Sequence, residues 1–154
     1  MRKLLILVVL VFVGSLGLAQ GNRSAFGLYV LGGQYTIDTG AVDVRFGVGL
    51  PLLAFGSSAG ALLSGSFDLL FPMGLVGGST RWYLGAGSEV YLALGGGAGG
   101  AVFTPRGFAN FEFGGDGLSI FLEGGLQGVI AVGGGNVFGA SVLIPHVRLG
   151  VNFR

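Results

Sequence analysis

The chain contains no cysteine, a single histidine and few charged residues. Without cysteine there is no disulfide framework and no thiolate metal site, and cysteine usage says nothing about the compartment. Charged residues make up 10% of the 154 residues, whereas an ordinary soluble domain has about 25%. The shortage of charge therefore argues against a soluble globular domain.

Apolar residues and glycine are abundant instead. The chain is 51% hydrophobic, its mean hydropathy is +0.81, and it contains 34 glycines. This apolar content excludes the polar disordered class, so the glycines must belong to ordered, apolar structure. The length suits one domain.

Residues 1–19 have the pattern of a secretory signal peptide. Two basic residues precede the apolar run Leu4–Val13, and Ala19 supplies the small residue of a cleavage site. The run is too short to cross a bilayer as a helix, which takes about 20 residues. We therefore predict a signal peptide over 1–19 and a mature domain over 20–154. The mature domain carries no lysine and no basic patch for nucleic acid.

The last ten residues, Pro145–Arg154, alternate between apolar and polar side chains. Val147, Leu149, Val151 and Phe153 share one phase of a two-residue period, and polar residues or glycine occupy the other. Such alternation is typical of a half-buried β-strand. The strand is also long enough to cross a bilayer when tilted, which takes about 9–11 residues.

The same alternation recurs along the mature chain, with every charge of a strand on one phase, and it is least clean in Phe26–Tyr35, where apolar residues occupy both phases. It predicts strands over Phe26–Tyr35, Val42–Leu50, Leu63–Phe71, Arg81–Leu94, Phe108–Phe113 and Leu118–Ile130, besides the closing strand. Gly114–Gly117 is the strongest turn signal between two of them.

These strands number seven, whereas bacterial up-and-down barrels have an even number of strands. An eighth strand must therefore be hidden in the sequence. The best candidate is Val137–Ile144, where apolar residues alternate before Pro145. Ala98–Thr104 and a division of the long Arg81–Leu94 segment are the alternatives.

In its closing strand and signal peptide the chain resembles the small eight-stranded outer-membrane β-barrels of bacteria, the outer-membrane-protein-A-like and X-like superfamily. In that family the closing strand ends in an aromatic residue that the barrel-assembly machinery reads. Phe153 matches this assembly signal, although Arg154 follows it. The resemblance implies an all-β, antiparallel up-and-down transmembrane β-barrel located in the outer membrane. Its partners would be outer-membrane lipid and the assembly machinery, and its role in the cell envelope would be structural or interactive.

Eight charged residues fall on the phase that would face the barrel interior. They are Asp43, Arg45, Asp68, Arg81, Glu89, Glu112, Glu123 and Arg148. An unpaired charge in a low-dielectric lumen is costly, so these residues are expected to pair across it. The sequence therefore predicts a lumen filled by a salt-bridge network, and a narrow pore for small solutes is the alternative.

Five larger aromatic residues could lie at the membrane interface or inside the barrel. They are Tyr29, Tyr35, Trp82, Tyr83 and Tyr91. Tyrosine and tryptophan favour the headgroup depth of a bilayer, but they also pack against glycine inside small barrels. The sequence leaves both placements open.

Two short motifs suggest other functions, but both lack their structural context. Gly95–Gly100 satisfies G-x-G-x-x-G, yet no helical pattern follows it to bind phosphate. Gly56–Gly60 satisfies G-x-S-x-G around Ser58, with His146 later in the chain, yet the motif requires a strand-to-helix turn. A barrel enzyme acting on outer-membrane lipid is therefore the less favoured alternative. We predict no enzyme activity, no cofactor, and a hydrogen-bonding role for His146, because a lone histidine does not form a zinc site.

Overall fold

A computed structural model describes residues 24–30, 32–50, 61–94, 100–115, 117–133 and 136–154. Eight antiparallel strands form one closed barrel in which each strand pairs with its neighbour in sequence and the last pairs with the first. The strands are β1 (Ala25–Tyr29), β2 (Gly32–Ile37), β3 (Asp43–Gly49), β4 (Ala61–Val76), β5 (Thr80–Leu94), β6 (Gly100–Gly114), β7 (Leu118–Gly133) and β8 (Asn136–Phe153). The predicted all-β, up-and-down barrel is confirmed.

Side chains on the two phases of each strand face opposite sides of the barrel wall. In β3 the buried residues include Asp43 and Arg45, whereas Phe46 and Val48 are 48% and 45% exposed. On the neighbouring strand β4, Phe67 also faces outward, and its ring centroid lies 5.4 Å from that of Phe46. The charged phase therefore faces the interior and the apolar phase forms the outer surface.

Glycine makes the tight turns at one end of the barrel. Gly77 and Gly78, between β4 and β5, have φ angles of 63° and 82°, which non-glycine residues rarely adopt. β6 and β7 join at the predicted turn, where Gly114 and Gly117 have φ angles of 128° and 108°.

The eighth strand comes from the start of the chain. The segment Phe26–Tyr35, predicted as one strand, turns at Val30 and forms a hairpin of β1 and β2 in which Phe26 lies opposite Tyr35. A turn in mid-segment explains why apolar residues occupy both phases there, since the alternation restarts in the second strand.

The three positions considered for a separate eighth strand were wrong. Val137–Ile144 is continuous with the closing strand in β8, and β6 takes up the residues before Phe108 from Gly100 onward. β5 runs unbroken from Thr80 to Leu94. An irregularity in the β7–β8 ladder between Gln127 and Val129 accommodates extra residues of β8, as a β-bulge does.

The barrel wall is higher on one side than on the other. β1 to β3 contain 5 to 7 residues each, whereas β4 to β8 contain 15 to 18. β1 pairs with β8 only over Gly150–Phe153, so the earlier part of β8 has no strand on that side among the described residues. Among the described residues, the barrel wall is therefore lower along β1 to β3 at the end opposite the glycine turns, which we call the low side.

Candidate functional site

Charged side chains from six strands meet in the middle of the lumen. This central cluster consists of Arg45 on β3, Asp68 on β4, Glu89 on β5, Arg106 on β6, Glu123 on β7, and His146 and Arg148 on β8. Every member is buried. Because six of the eight strands contribute to the same group, the cluster links the two sides of the barrel.

Asp68 is the shared acceptor of two arginines. The Arg45 Nε donates to Asp68 Oδ2 at 3.0 Å. Arg106 donates to the same carboxylate through Nε at 3.0 Å and Nη2 at 2.9 Å, the two-pronged geometry that suits guanidinium and carboxylate. Arg106 also donates from Nη1 to Glu89 Oε2 at 2.7 Å. Arg106 therefore joins β6 to both β4 and β5.

Glu123 joins the opposite wall to the cluster. Its Oε2 accepts a bond from the Arg45 Nη2 at 2.6 Å, and its Oε1 lies 2.6 Å from the His146 Nε2. His146 thus takes the hydrogen-bonding place expected of it, and its ring centroid lies 5.9 Å from that of Phe108. Since Glu123 is already held by Arg45, the histidine belongs to the same network.

Aromatic rings fill the space beside the charges. The guanidinium carbons of Arg45 and Arg106 lie 5.1 Å and 5.7 Å from the Phe108 ring centroid, within the range of cation–π attraction. A Cβ at Gly85 would lie 2.1 Å from that ring. The bare backbone of Gly85 therefore makes room for the ring, and glycine in this lumen serves to admit aromatic side chains.

A second group of polar residues lies nearer the turn end of the barrel. Glu112 accepts a bond from the Asn152 Nδ2 at 2.7 Å and another from Arg154. Arg154 also donates from Nη1 to Ser119 Oγ at 3.2 Å, and the Gln34 Nε2 donates to Asn152 Oδ1 at 3.1 Å. This turn-end cluster ties β2, β6, β7 and β8 together.

The eight charges predicted to face the lumen divide between these two clusters and the barrel end. Arg45, Asp68, Glu89, Glu123 and Arg148 belong to the central cluster, and Glu112 belongs to the turn-end cluster. Arg81 is half-buried opposite Glu112 on the neighbouring strand. Asp43 is buried at the start of β3 and interacts with Thr39.

Two arginines that the sequence reasoning left out of the network complete it. The predicted set had more acids than arginines, but Arg106 and Arg154 bring the arginines to the same number as the acids. Arg106 was missed because it lies between the candidate strand Ala98–Thr104 and the predicted strand Phe108–Phe113, outside both. Extending the period of Asn110 and Glu112 backward along β6 would have placed it inside.

The larger aromatic residues take both of the placements that the sequence left open. Trp82 and Tyr35 lie on the outer phase, and Trp82 stacks on Phe111 at 6.1 Å with ring planes 12° apart. Tyr83 is buried inside the barrel, and the ring centroid of Tyr29 lies 4.4 Å from the guanidinium carbon of Arg148. Tyr91 also faces the interior, where it lines a cavity.

That cavity lies at the low-sided end of the barrel, next to the central cluster. It has a volume of about 740 Å³. Glu89 and Arg148 form its polar floor, Gln127 lies on one wall, and Val102 and Ile144 supply apolar surface. We call it the mouth cavity.

The remaining sites considered from the sequence fall almost wholly on residues that the structure does not describe. The structure does not describe the predicted signal peptide, residues 1–19. It also does not describe Ser58 with its glycine motif, nor residues 95–99 of the other glycine motif. The described part of the chain contains no group of three or more His, Cys, Asp or Glu residues that could hold a metal ion. It also contains no helix that is both long and apolar enough to span a membrane.

The chain matches no protein-family model, no curated protein and no solved structure. The arrangement of its own residues therefore carries the functional argument.

Proposed function

We propose that the protein is a small outer-membrane β-barrel with a structural or interaction role in the cell envelope. The observation that carries this proposal is the inverted distribution of side chains, with charges buried inside and large apolar residues exposed outside. Among the exposed residues are Phe46, Phe67, Leu84, Ile120, Leu122 and Leu149. A soluble monomer rarely exposes a continuous apolar surface of more than a few hundred Å², whereas lipid is the natural solvent for such a surface.

The closing strand supports assembly into an outer membrane. Phe153 lies on the outer phase at the end of β8 and is 44% exposed. Arg154 does not extend past it into solvent, because its backbone N–H bonds to the Gly117 carbonyl at 3.0 Å and its side chain bonds to Glu112. Phe153 is therefore the last outward-facing residue of β8, which suits an assembly signal despite the arginine that follows.

The packed lumen favours a closed barrel over a pore. Arg45, Asp68, Phe121 and Glu123 are almost wholly buried in the interior, and an eight-stranded barrel is only wide enough for side chains to fill it. Ions would have to break the central cluster to pass. We assign no reaction to the His146–Glu123 pair, because Arg45 already holds the carboxylate in the network.

Two measurements on the same preparation test the proposal. Cell fractionation is expected to recover the protein with outer membranes and to release it only with detergent. The detergent-solubilised protein is expected to migrate differently on a gel before and after boiling, because a closed barrel resists unfolding until heated. A urea-denatured sample that has not been refolded is the control and should migrate as the boiled form. Release without detergent would mean a soluble periplasmic barrel instead.

A further inference from the structure

We propose that the β1–β2 hairpin is a hinged sector of the barrel, which parts from β8 while the other six strands stay assembled. The ladder between β1 and β8 is called the seam, and β3 to β8 together are called the body. Short backbone ladders beside the hairpin, and the pattern of side-chain bonds in the lumen, point to this movement. It is a property of the barrel itself and does not depend on the proposed location in a membrane.

The hairpin is joined to the body by the shortest ladders of the described barrel. β1 pairs with β8 over four residues, Phe26–Tyr29, and β2 pairs with β3 over six, Gly32–Ile37. By contrast, β6 pairs with β7 along most of Gly100–Gly114. Because a longer ladder holds more backbone hydrogen bonds, the barrel wall parts most easily at the seam.

The body holds together without the hairpin. The central cluster draws its charged side chains from β3 to β8, and neither β1 nor β2 contains a charged residue. Arg45 of β3 donates to Glu123 of β7 at 2.6 Å. This bond joins the two sides of the body directly across the lumen, so the body can keep its curvature when the hairpin moves.

One side-chain bond fastens the seam from the lumenal side. Gln34 of β2 and Asn152 of β8 lie on either side of Gly27 of β1, and the Gln34 Nε2 donates to Asn152 Oδ1 at 3.1 Å. A Cβ at Gly27 would lie 2.7 Å from the Gln34 Cγ, so the glycine lets this bond pass over β1. Asn152 in turn donates to Glu112 of β6 at 2.7 Å. The Gln34–Asn152 bond, which we call the seam clasp, therefore ties the hairpin to the body.

Tyr29 fastens the opposite edge of the hairpin. Its side chain packs over Gly32 of β2, where a Cβ would lie 2.6 Å from the hydroxyl oxygen, and the hydroxyl donates to the Val48 carbonyl of β3 at 3.0 Å. Across the seam, the Tyr29 ring makes a cation–π contact with Arg148 at 4.4 Å. Since the β2–β3 edge has both the longer ladder and the hydroxyl bond, β3 is the hinge side and β8 is the side that parts.

Native-state hydrogen exchange of the refolded protein in detergent micelles tests the proposal, strand by strand and at increasing sub-denaturing urea. The ladder amides of β1 and β2 are expected to exchange faster than those of β6 and β7. Their exchange should also depend less on urea, because opening the hairpin exposes less surface than unfolding the barrel.

The seam clasp can be removed with a matched control. Gln34→Met removes the clasp and should speed the exchange of the hairpin by roughly three- to tenfold. Ser119→Ala removes a bond from Arg154 in the same turn-end cluster without crossing the seam. The hairpin of that variant should exchange as it does in the unmodified protein.

A disulfide across the seam tests the movement itself. Leu28 and Val151 are Cα partners in the β1–β8 ladder, and the chain has no cysteine of its own. A variant with Leu28→Cys and Val151→Cys can therefore form only the intended bond within one chain. Its oxidation should slow the exchange of the hairpin by about tenfold or more relative to that of β6 and β7, and reduction of the same sample should restore it.

Equal exchange rates and equal urea dependence in all strands would overturn the proposal, because the hairpin would then leave only when the whole barrel unfolds. Hairpin exchange that is the same in the oxidised and reduced disulfide variant would also overturn it, as would Ser119→Ala speeding the hairpin as much as Gln34→Met. Each variant is first checked for a closed barrel by its unboiled gel migration. If Gln34→Met does not fold, the comparison of oxidised with reduced protein decides the question.

Discussion

Replacing Arg45 by methionine removes one cation from the middle of the lumen while keeping a side chain of similar length. Arg45 is 1% exposed and donates to Asp68 at 3.0 Å and to Glu123 at 2.6 Å. Asp68 keeps its two bonds from Arg106 after the change, whereas Glu123 keeps only its contact with His146. The main cost therefore falls on Glu123, a buried carboxylate left without its cation.

Breaking a buried ion pair by removing one partner typically costs about 3–5 kcal/mol, so Arg45→Met should lower the free energy of unfolding by about that amount. Asp38→Asn, in the β2–β3 connection, is the matched control because the amide oxygen can still accept the bond from the Gly40 N–H. A surface change of this kind is expected to stay within about 0.5 kcal/mol. Urea titration of the refolded protein in detergent micelles measures both.

A second substitution identifies the cause of the destabilisation. Glu123→Gln in the Arg45→Met background removes the stranded charge, so the double variant should recover part of the loss. The coupling between two residues in contact is expected to lie at about 0.5–3 kcal/mol. If Arg45→Met cost no more than Asp38→Asn, the central cluster would not hold the barrel together and the reasoning would be refuted.

Three further predictions concern the outer surface, the glycines and the lumen. Leu122→Arg, on the outward-facing side of β7, should lower the free energy of unfolding in lipid by about 2–4 kcal/mol if residue 122 lies near the bilayer midplane. Ser79→Arg, in the exposed β4–β5 turn, is the control and should be tolerated. Equal unfolding midpoints of the two variants in vesicles would refute the lipid-facing assignment. Gly85→Ala should destabilise by about 1–3 kcal/mol because its Cβ would overlap the Phe108 ring, whereas Gly65→Ala meets no atom within 4 Å and should be neutral in the same titration. The unmodified protein in planar bilayers should show no steady conductance, and stable ion-selective channels would favour the pore instead.

Most of the fold could be predicted from the alternation of side chains, because the outer surface and the narrow lumen of a barrel impose opposite demands on alternate residues. β3 shows this most clearly, since Val44 to Val48 separates apolar from polar residues without exception. The β1–β2 hairpin was not predicted, because its turn falls at the apolar Val30 while the nearby glycine pair Gly32–Gly33 belongs to β2.

The composition of the site could be predicted better than its geometry. Each strand shows by its own alternation which of its charged residues face inward, and this identified Asp68, Glu89 and Glu123 as lumenal residues. Their partners depend on the stagger between neighbouring strands, so the chain alone could not show that Arg106 would bridge Asp68 and Glu89. The mouth cavity likewise arises from the unequal heights of the strands, which local alternation does not encode.

The protein's single tryptophan offers the most direct test of the central claim, that the outer face of this barrel lies in lipid. Trp82 lies on the outer phase of β5 and stacks on Phe111. In vesicles made with brominated lipids, its fluorescence is expected to be quenched by the bromine atoms and protected from iodide added to the water. Emission that ignores the brominated lipid and is quenched by iodide would contradict the account, because it would place the apolar face of the barrel outside the membrane.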